Sequence, residues 1–404
     1  MSMNKLLIWI DARFPLISTW KNWFSEYYVP KNLNFYYCFG VLALVVLLNQ
    51  LISGVWLTMF YTPTTAQAFQ SIEYIMRDVN YGWLLRYLHS TGASAFFIVL
   101  YMHIFRGLLY GSYQRPRELV WLLGMALFIL LVAEAFFGYL LPWGQMSYWG
   151  AQVITSLFSV IPYIGKSLVI WLRGDYTVAN ATLHRFFALH VIGVPLLVLL
   201  FVWLHLIALR TVGSNNPQGI DINKHLDERG KPLDGIPFHP YYVLKDLVGV
   251  MAFLFLFFTV VFFFPDMGGY FLEPANFAPA NPLSTPEHIT PVWYMAPFYA
   301  MLRAIPNKSL GVVVMLSALL ILMLMPWLDK SPVRAMRYKG GYSKTALIAL
   351  VSSFLMLGYL GTIDVTPFGL YLTRACMVCY FAYFLLMPVY TRLESHKQAP
   401  ERIT

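Results

Sequence analysis

Charge is what this chain has least of. Asp, Glu, Lys and Arg together make 12% of its 404 residues, against about 25% in an ordinary soluble domain. Hydrophobic residues make 59%. A water-soluble core cannot absorb that share, so lipid must be the solvent over most of the length. Cysteine is scarce as well: Cys38, Cys376 and Cys379. The last two form a C-x-x-C inside a hydrophobic run with no further ligand nearby. That argues against a zinc or redox role and favours small buried hydrophobes. A signal-peptide pattern is missing too, because the apolar patch in "MSMNKLLIWIDARFPLI" is short and broken by Asp11 and Arg13. Residues 1–34 read instead as a retained amphipathic segment on the membrane surface, in contact with lipid. The net charge of +9 fits basic cytoplasmic loops better than nucleic acid, which is not expected as a partner.

What is present is a series of eight apolar runs: about 35–61, 83–109, 119–141, 181–209, 244–265, 310–328, 345–361 and 369–390. At ~1.5 Å per residue each can cross ~30 Å of hydrocarbon as a helix. The expected fold is an all-α integral membrane protein with eight transmembrane helices. Its parts would be a surface segment (1–34), a four-helix bundle (35–215) and a C-terminal four-helix domain (216–404). An even number of spans puts both termini on one side. Basic residues gather on that side, most plainly Lys330, Arg334, Arg337, Lys339 and Lys344, so it is expected to be cytoplasmic. The two long connections on the other side, 142–180 and 266–309, are poor in charge and rich in Pro, Gly and aromatics. Loops of that kind tend to carry function.

Four histidines lie in the apolar runs. His89 and His103 are 14 residues apart on the second, and His190 and His205 are 15 apart on the fourth. Fourteen steps of ~100° return to within ~40° of the same face and rise ~21 Å. Two such helices side by side offer two imidazole pairs at opposite membrane depths. Facing imidazoles in an apolar site suit six-coordinate haem iron. Gly40 and Gly54 on the first run, and Gly124 and Gly138 on the third, repeat the 14-residue interval. A glycine there lets a flat ring approach the backbone. Arg86, Arg106 and Arg185 flank the histidines, where haem propionates would need cations.

The segments "GWLLRYLHSTGASAFFIVLYMHIFRGLLYGSY", "GYLLPWGQMSYWGAQVIT", "RFFALH", "GSNNP", "FHPYYVLKD" and "PVWY" strongly resemble the cytochrome b family of the respiratory ubiquinol–cytochrome c oxidoreductases, in its bacterial form. The resemblance covers about 30–395 in family order. It implies two b-type haems: a low-potential one on His89 and His190 near the periplasmic face, and a high-potential one on His103 and His205 near the cytoplasmic face. Ser112 and Asn215 would join the haem contacts. A quinol-oxidising site would use Phe136, Tyr139, Met146, Gly150, Val153, Ile154, Pro291, Val292, Tyr294, Met295 and Tyr299. A quinone-reducing site would use Arg210, Ser214, Phe238, Lys245 and Asp246. Implied partners are ubiquinone, a Rieske iron–sulfur protein, a c-type cytochrome subunit and a second copy of the complex, in a bacterial inner membrane.

Three departures from the family pattern stand out. Val292 occupies the place of an acid in the P-V-W-Y motif. Glu134, inside the third run, is the expected replacement as proton acceptor, with Glu287 a wetter rival. Arg210 stands where the reducing site often has a histidine, and arginine holds its proton at neutral pH. The His190–His205 interval is one residue longer than in mitochondrial relatives, and Pro195 is expected to open the helix and absorb it. The alternatives are a proton-coupled secondary transporter using the intramembrane His and Glu, or the dihaem anchor of another oxidoreductase. The first should show paired half-repeats and the second fewer spans.

Overall fold

The computed structural model describes residues 3–403. Among them, eight helices are long and apolar enough to cross a membrane: α1 (Phe35–Thr58), α2 (Gly82–Tyr110), α3 (Glu118–Leu140), α4 (Asn180–Val212), α5 (Phe238–Phe263), α6 (Lys308–Leu328), α7 (Gly341–Thr362) and α8 (Pro367–Leu385). All eight expected runs are there. α5 begins six residues before the expected 244: the polar, proline-bearing "FHPYY" lowers the hydropathy there, and its turn is kinked at His239, whose backbone is extended, before the regular helix starts at Val243. Much of each helix surface is apolar and exposed, with Leu48, Leu196, Val248 and Leu355 as examples. Such a surface fits lipid rather than water.

α1 packs along α2, and α3 along α4, while α5 leans on both α1 and α2. α7 packs on α8 and on a short helix, Ala296–Arg303. The largest core cluster joins the two halves: Phe97, Phe128 and Leu131 of the bundle meet Tyr294, Phe298 and Leu357. The first segment forms a helix at Met3–Asp11 with Leu6, Leu7, Ile8 and Trp9 all exposed. Strand β1 (Tyr28–Pro30) pairs antiparallel with β2 (Gly235–Pro237).

Asp234, just before β2, is a junction for distant parts of the chain. It is 2% exposed and binds Lys31 at 3.0 Å and Arg402 at 3.1 Å. Burial alone would raise its pKa, but the hydrogen bonds from Arg402 and Lys31 outweigh that and hold it at about 2.

The two long loops close on each other. Gln145 N donates to Ala278 O at 3.0 Å, and Ala280 N to Trp143 O at 3.0 Å. Asn276 accepts from Ser147 N and donates to Ser147 Oγ, both at 2.9 Å. Loop 266–309 is thereby stitched to the end of α3.

Within α4, residues Leu189–Gly193 form a π-turn that includes His190. Pro195 has no N–H for the carbonyl four residues before it, so the regular ladder is interrupted there. A π-turn takes up one extra residue. The fifteen-residue histidine interval therefore behaves as fourteen residues of regular helix, equal to the interval on α2.

Candidate functional site

The four intramembrane histidines meet in two pairs. His89 and His190 have ring centroids 6.1 Å apart at 83°, and His103 and His205 lie 6.5 Å apart at 58°. Two metal–nitrogen bonds of about 2 Å each, plus the reach of each ring, require a centroid separation of about 6 Å. Among the described residues, no three His, Cys, Asp or Glu converge on one point. A pair of imidazoles cannot complete a zinc shell, but it can complete the shell of an iron already held by a macrocycle.

The glycines face the imidazoles themselves. A Cβ at Gly54 would meet His89 Cε1 at 3.2 Å, and one at Gly40 would meet His103 Cε1 at 3.5 Å. One at Gly124 would meet His205 Cε1 at 3.2 Å, and one at Gly138 would collide with the His190 ring. Each ring is thus pressed to a neighbouring backbone. Outer partners then fix ring orientation. Ser53 Oγ lies 3.0 Å from His89 Nδ1, and the Glu134 carbonyl lies 3.0 Å from His190 Nδ1. Neither Ser53 nor the Glu134 backbone was singled out in the sequence. A polar residue one helical step from an apolar-run glycine was the available signal.

The arginines divide. Arg86 lines the cavity beside His89. Arg106 Nη2 lies 3.3 Å from His103 Nδ1. Arg185 does not join them: its side chain is exposed and donates to the Trp171 carbonyl. A free carbonyl in the last turn of the short helix Gly165–Arg173 outcompetes an apolar interior for a guanidinium. Asn215 Nδ2 donates to Ser112 Oγ at 3.2 Å and to Tyr110 O at 2.7 Å, joining the cytoplasm-side ends expected for α2 and α4.

A cavity of about 250 Å³ runs from His89 and His190 to the stitched loops. Tyr139, Val292 and Tyr294 line it, as does Glu134. Tyr294 is 5% exposed and stacks on Phe97 at 3.8 Å and 5°. Trp293 Nε1 donates to Ser94 Oγ at 3.1 Å, Tyr299 OH to Ile289 O at 3.1 Å, and Arg303 to the carbonyls of Leu360 and Ile363. The aromatic stretch is therefore a braced wall. Gly150 lies beside Tyr139, with 3.8 Å from its would-be Cβ to Tyr139 Cε1. Met146, Val153 and Ile154 share the short helix Gln145–Leu157 with it. Phe136 packs on Phe186 at 5.4 Å, in the cluster beneath the loop. Pro291 and Met295 flank the wall without lining the cavity.

Three carboxylates compete for attention. Glu134 Oε1 lies 3.0 Å from His190 Nδ1, while its Oε2 is buried without a partner. Glu287 is exposed beside His288. Glu273, which the sequence reading passed over, accepts a hydrogen bond from Tyr139 OH at 2.8 Å. Its neighbourhood, "FLEPANFAP", has no periodicity or membrane context to mark it.

At the other end of the bundle a cavity of about 510 Å³ is lined by Arg117, Arg210 and Ser214. Arg210 is boxed by the rings of Tyr27 (3.9 Å), Trp23 (5.4 Å), Phe238 (5.4 Å) and Phe24 (5.9 Å). The N-terminal segment ahead of α1 thus supplies three of the four walls, a cation–π setting for a fixed charge. Lys245 and Asp246 sit apart on α5: Lys245 lies over Tyr242, and Asp246 Oδ1 is 3.6 Å from Cys38 Sγ.

Two family models match the chain: cytochrome b/b6/petB over residues 24–213, and cytochrome b(C-terminal)/b6/petD over 279–381. A cytochrome b from Allochromatium vinosum is 56% identical over 98% of both chains. One from Rickettsia prowazekii is 48% identical over 98% of this chain and 97% of that protein. A "cytochrome b/c1" from Bradyrhizobium diazoefficiens is 45% identical over 99% of this chain and 57% of its own length. Among solved structures, a chain of a hyperthermophilic respiratory complex III superposes with a TM-score of 0.88 at 40% identity. That match covers 96% of this chain and 99% of the other.

Proposed function

The chain belongs to the cytochrome b family, and we propose that its paired imidazoles, His89 with His190 and His103 with His205, hold two non-covalent b-type haems. It is the cytochrome b subunit of a bacterial respiratory complex III, which oxidises quinol and transfers electrons in the Q cycle. The observation that carries the haem assignment is the pair of imidazole gaps, 6.1 and 6.5 Å, on the same two helices. Bound there, each haem supplies a one-electron carrier inside the apolar span.

The residues' own work is to position and to exclude. Gly54 and Gly138 let the His89 and His190 rings sit against α1 and α3, and Gly40 and Gly124 do the same for His103 and His205. Ser53 and the Glu134 carbonyl hold ring nitrogens that face away from the metal position. Glu134's carboxylate, at the same nitrogen of His190, strengthens that ligand as a donor. Arg86 and Arg106 provide the cations for propionates, and Ser112 with Asn215 the polar contact at one end. Tyr139, Val292 and Tyr294 form the quinol-oxidising pocket, whose aromatic, proline-braced wall suits a flat ring and keeps water out. Arg210, Ser214 and Phe238 frame the quinone-reducing pocket, while Lys245 and Asp246 stand apart from it on α5. Ubiquinone is the expected quinone. A Rieske iron–sulfur protein and a c-type cytochrome are the expected electron acceptors, the latter supported by a relative whose name joins b and c1. The complex would be dimeric, in the inner membrane, with both termini cytoplasmic.

Potentiometric titration of the purified complex tests this reading. Two b-type steps are expected, and His103→Leu and His190→Leu should each remove one. An unchanged titration in either variant contradicts the assignment, and a protein with no b-type absorbance returns the transporter reading.

A further inference from the structure

Quinol oxidation needs a base at the pocket, and the pocket's P-V-W-Y wall offers only Val292. The structure places another carboxylate one hydroxyl away. Tyr139 lines the cavity, and its phenol donates to Glu273 Oε2 at 2.8 Å. Glu273 itself does not line the cavity; it is half-buried in the loop that closes over it. The path thus runs from the cavity through the Tyr139 phenol to a carboxylate on the covering loop.

Resting on the quinol-oxidising reading above, we propose that Glu273, acting through Tyr139, is the proton acceptor of this site and supplies what Val292 cannot. Its position is over-determined. Asn276, three residues on, is clamped to Ser147, whose Oγ donates to Tyr139 O at 2.5 Å. The loop segment that carries Glu273 is therefore tied to the Tyr139 backbone through Ser147. Burial pushes the Glu273 carboxyl above its ordinary range, against the Tyr139 hydrogen bond, which lowers it. That moves it toward a group that can both take and release a proton. The groups facing it are the Tyr139 and Tyr294 phenols, and neither is a cation that would keep it ionised.

Glu134 is placed for different work. Its Oε1 is engaged with His190 Nδ1, and no hydroxyl of the described residues joins its other oxygen. Glu134 thus lines the cavity at the imidazoles, while Glu273 stands behind Tyr139 on the loop.

The step balances within the established reaction. A quinol O–H bond breaks and its proton passes to Tyr139 Oη, as the Tyr139 proton passes to Glu273 Oε2, forming a new O–H bond there. Quinol's two electrons go to the acceptors that its oxidation by the complex already uses, and its second proton leaves by a path separate from Glu273. Glu273 then releases its proton to the loop surface.

The test uses the whole complex with a short-chain ubiquinol. Glu273→Gln keeps an acceptor for Tyr139 OH but cannot take a proton. It should lower kcat by about 100-fold, the scale of general-base catalysis, with KM and both haem steps little changed. Adding Val292→Glu to that variant should restore most of the rate, and Glu273→Asp should retain part of it. A Glu273→Gln rate within two-fold of the parent overturns the proposal, as does a loss in Glu134→Gln that Glu273→Gln does not share. If Glu273→Gln fails to assemble, Tyr139→Phe is read in its place: a comparable fall in kcat is expected, and a parental rate overturns the proposal. A parent complex without quinol turnover would sink the functional reading instead, a separable outcome.

Discussion

At the scale of single residues, small atoms decide how the four imidazoles of the proposed haem sites are seated. A methyl group at Gly138 would occupy the space of the His190 ring, with no flexible group to give way. Gly138→Ala is therefore expected to abolish the low-potential titration step and leave the high-potential one. Retention of both steps would show that the His190 ring has room to move. Ser53→Ala removes the one hydroxyl at His89 Nδ1 among the described residues. A lost ligand hydrogen bond typically costs 10–100-fold in metal affinity or activity, so this variant should release haem on dilution faster than the parent. The four histidines and four glycines were legible in the sequence because helical period converts spacing directly into facing. Glu273 was not, because its function comes from a tertiary contact between loops, which no local pattern encodes. Arg185 misled for the converse reason: sequence proximity to His190 did not reveal the Trp171 carbonyl that holds it.

At the scale of elements, α4 carries one residue more between its histidines than α2 does. The π-turn at Leu189–Gly193 absorbs it. Pro195 made an opening legible in advance, but the sequence did not say that it would take the form of one π-turn enclosing His190. Deleting Ile192, which is 59% exposed, should let the turn revert to regular helix. Both haem steps are then expected to survive. Deleting one residue at 196–204 instead should swing one ligand by ~100° and remove at least one step. Equal behaviour of the two deletions, read by redox difference spectra, would rule out the bulge as the compensating device.

At the scale of the molecule, all eight spans followed from hydropathy, while the way distant parts lock together did not. Asp234 ties the first segment, β2 and the C-terminal tail through Lys31 and Arg402. Its pKa of about 2 lies below the ordinary carboxylate value. A depressed folded-state pKa contributes stability that is present above the unfolded value of about 3.9 and is lost as pH falls toward the folded value. The melting-temperature gap between parent and Asp234→Asn should therefore stay constant from neutral pH down to about 5 and shrink below about 4. A gap that shrinks already between neutral pH and about 5 would assign the coupling to other groups.

The central claim is that quinol oxidised at one membrane face feeds two carriers lined up across the span. Rapid-mixing reduction of the assembled complex by ubiquinol, with the cytoplasmic-side pocket blocked, tests it most directly. The account predicts that two b-type equivalents are reduced in the parent and one in His103→Leu. Reduction of neither, or an amplitude untouched by His103→Leu, would contradict it.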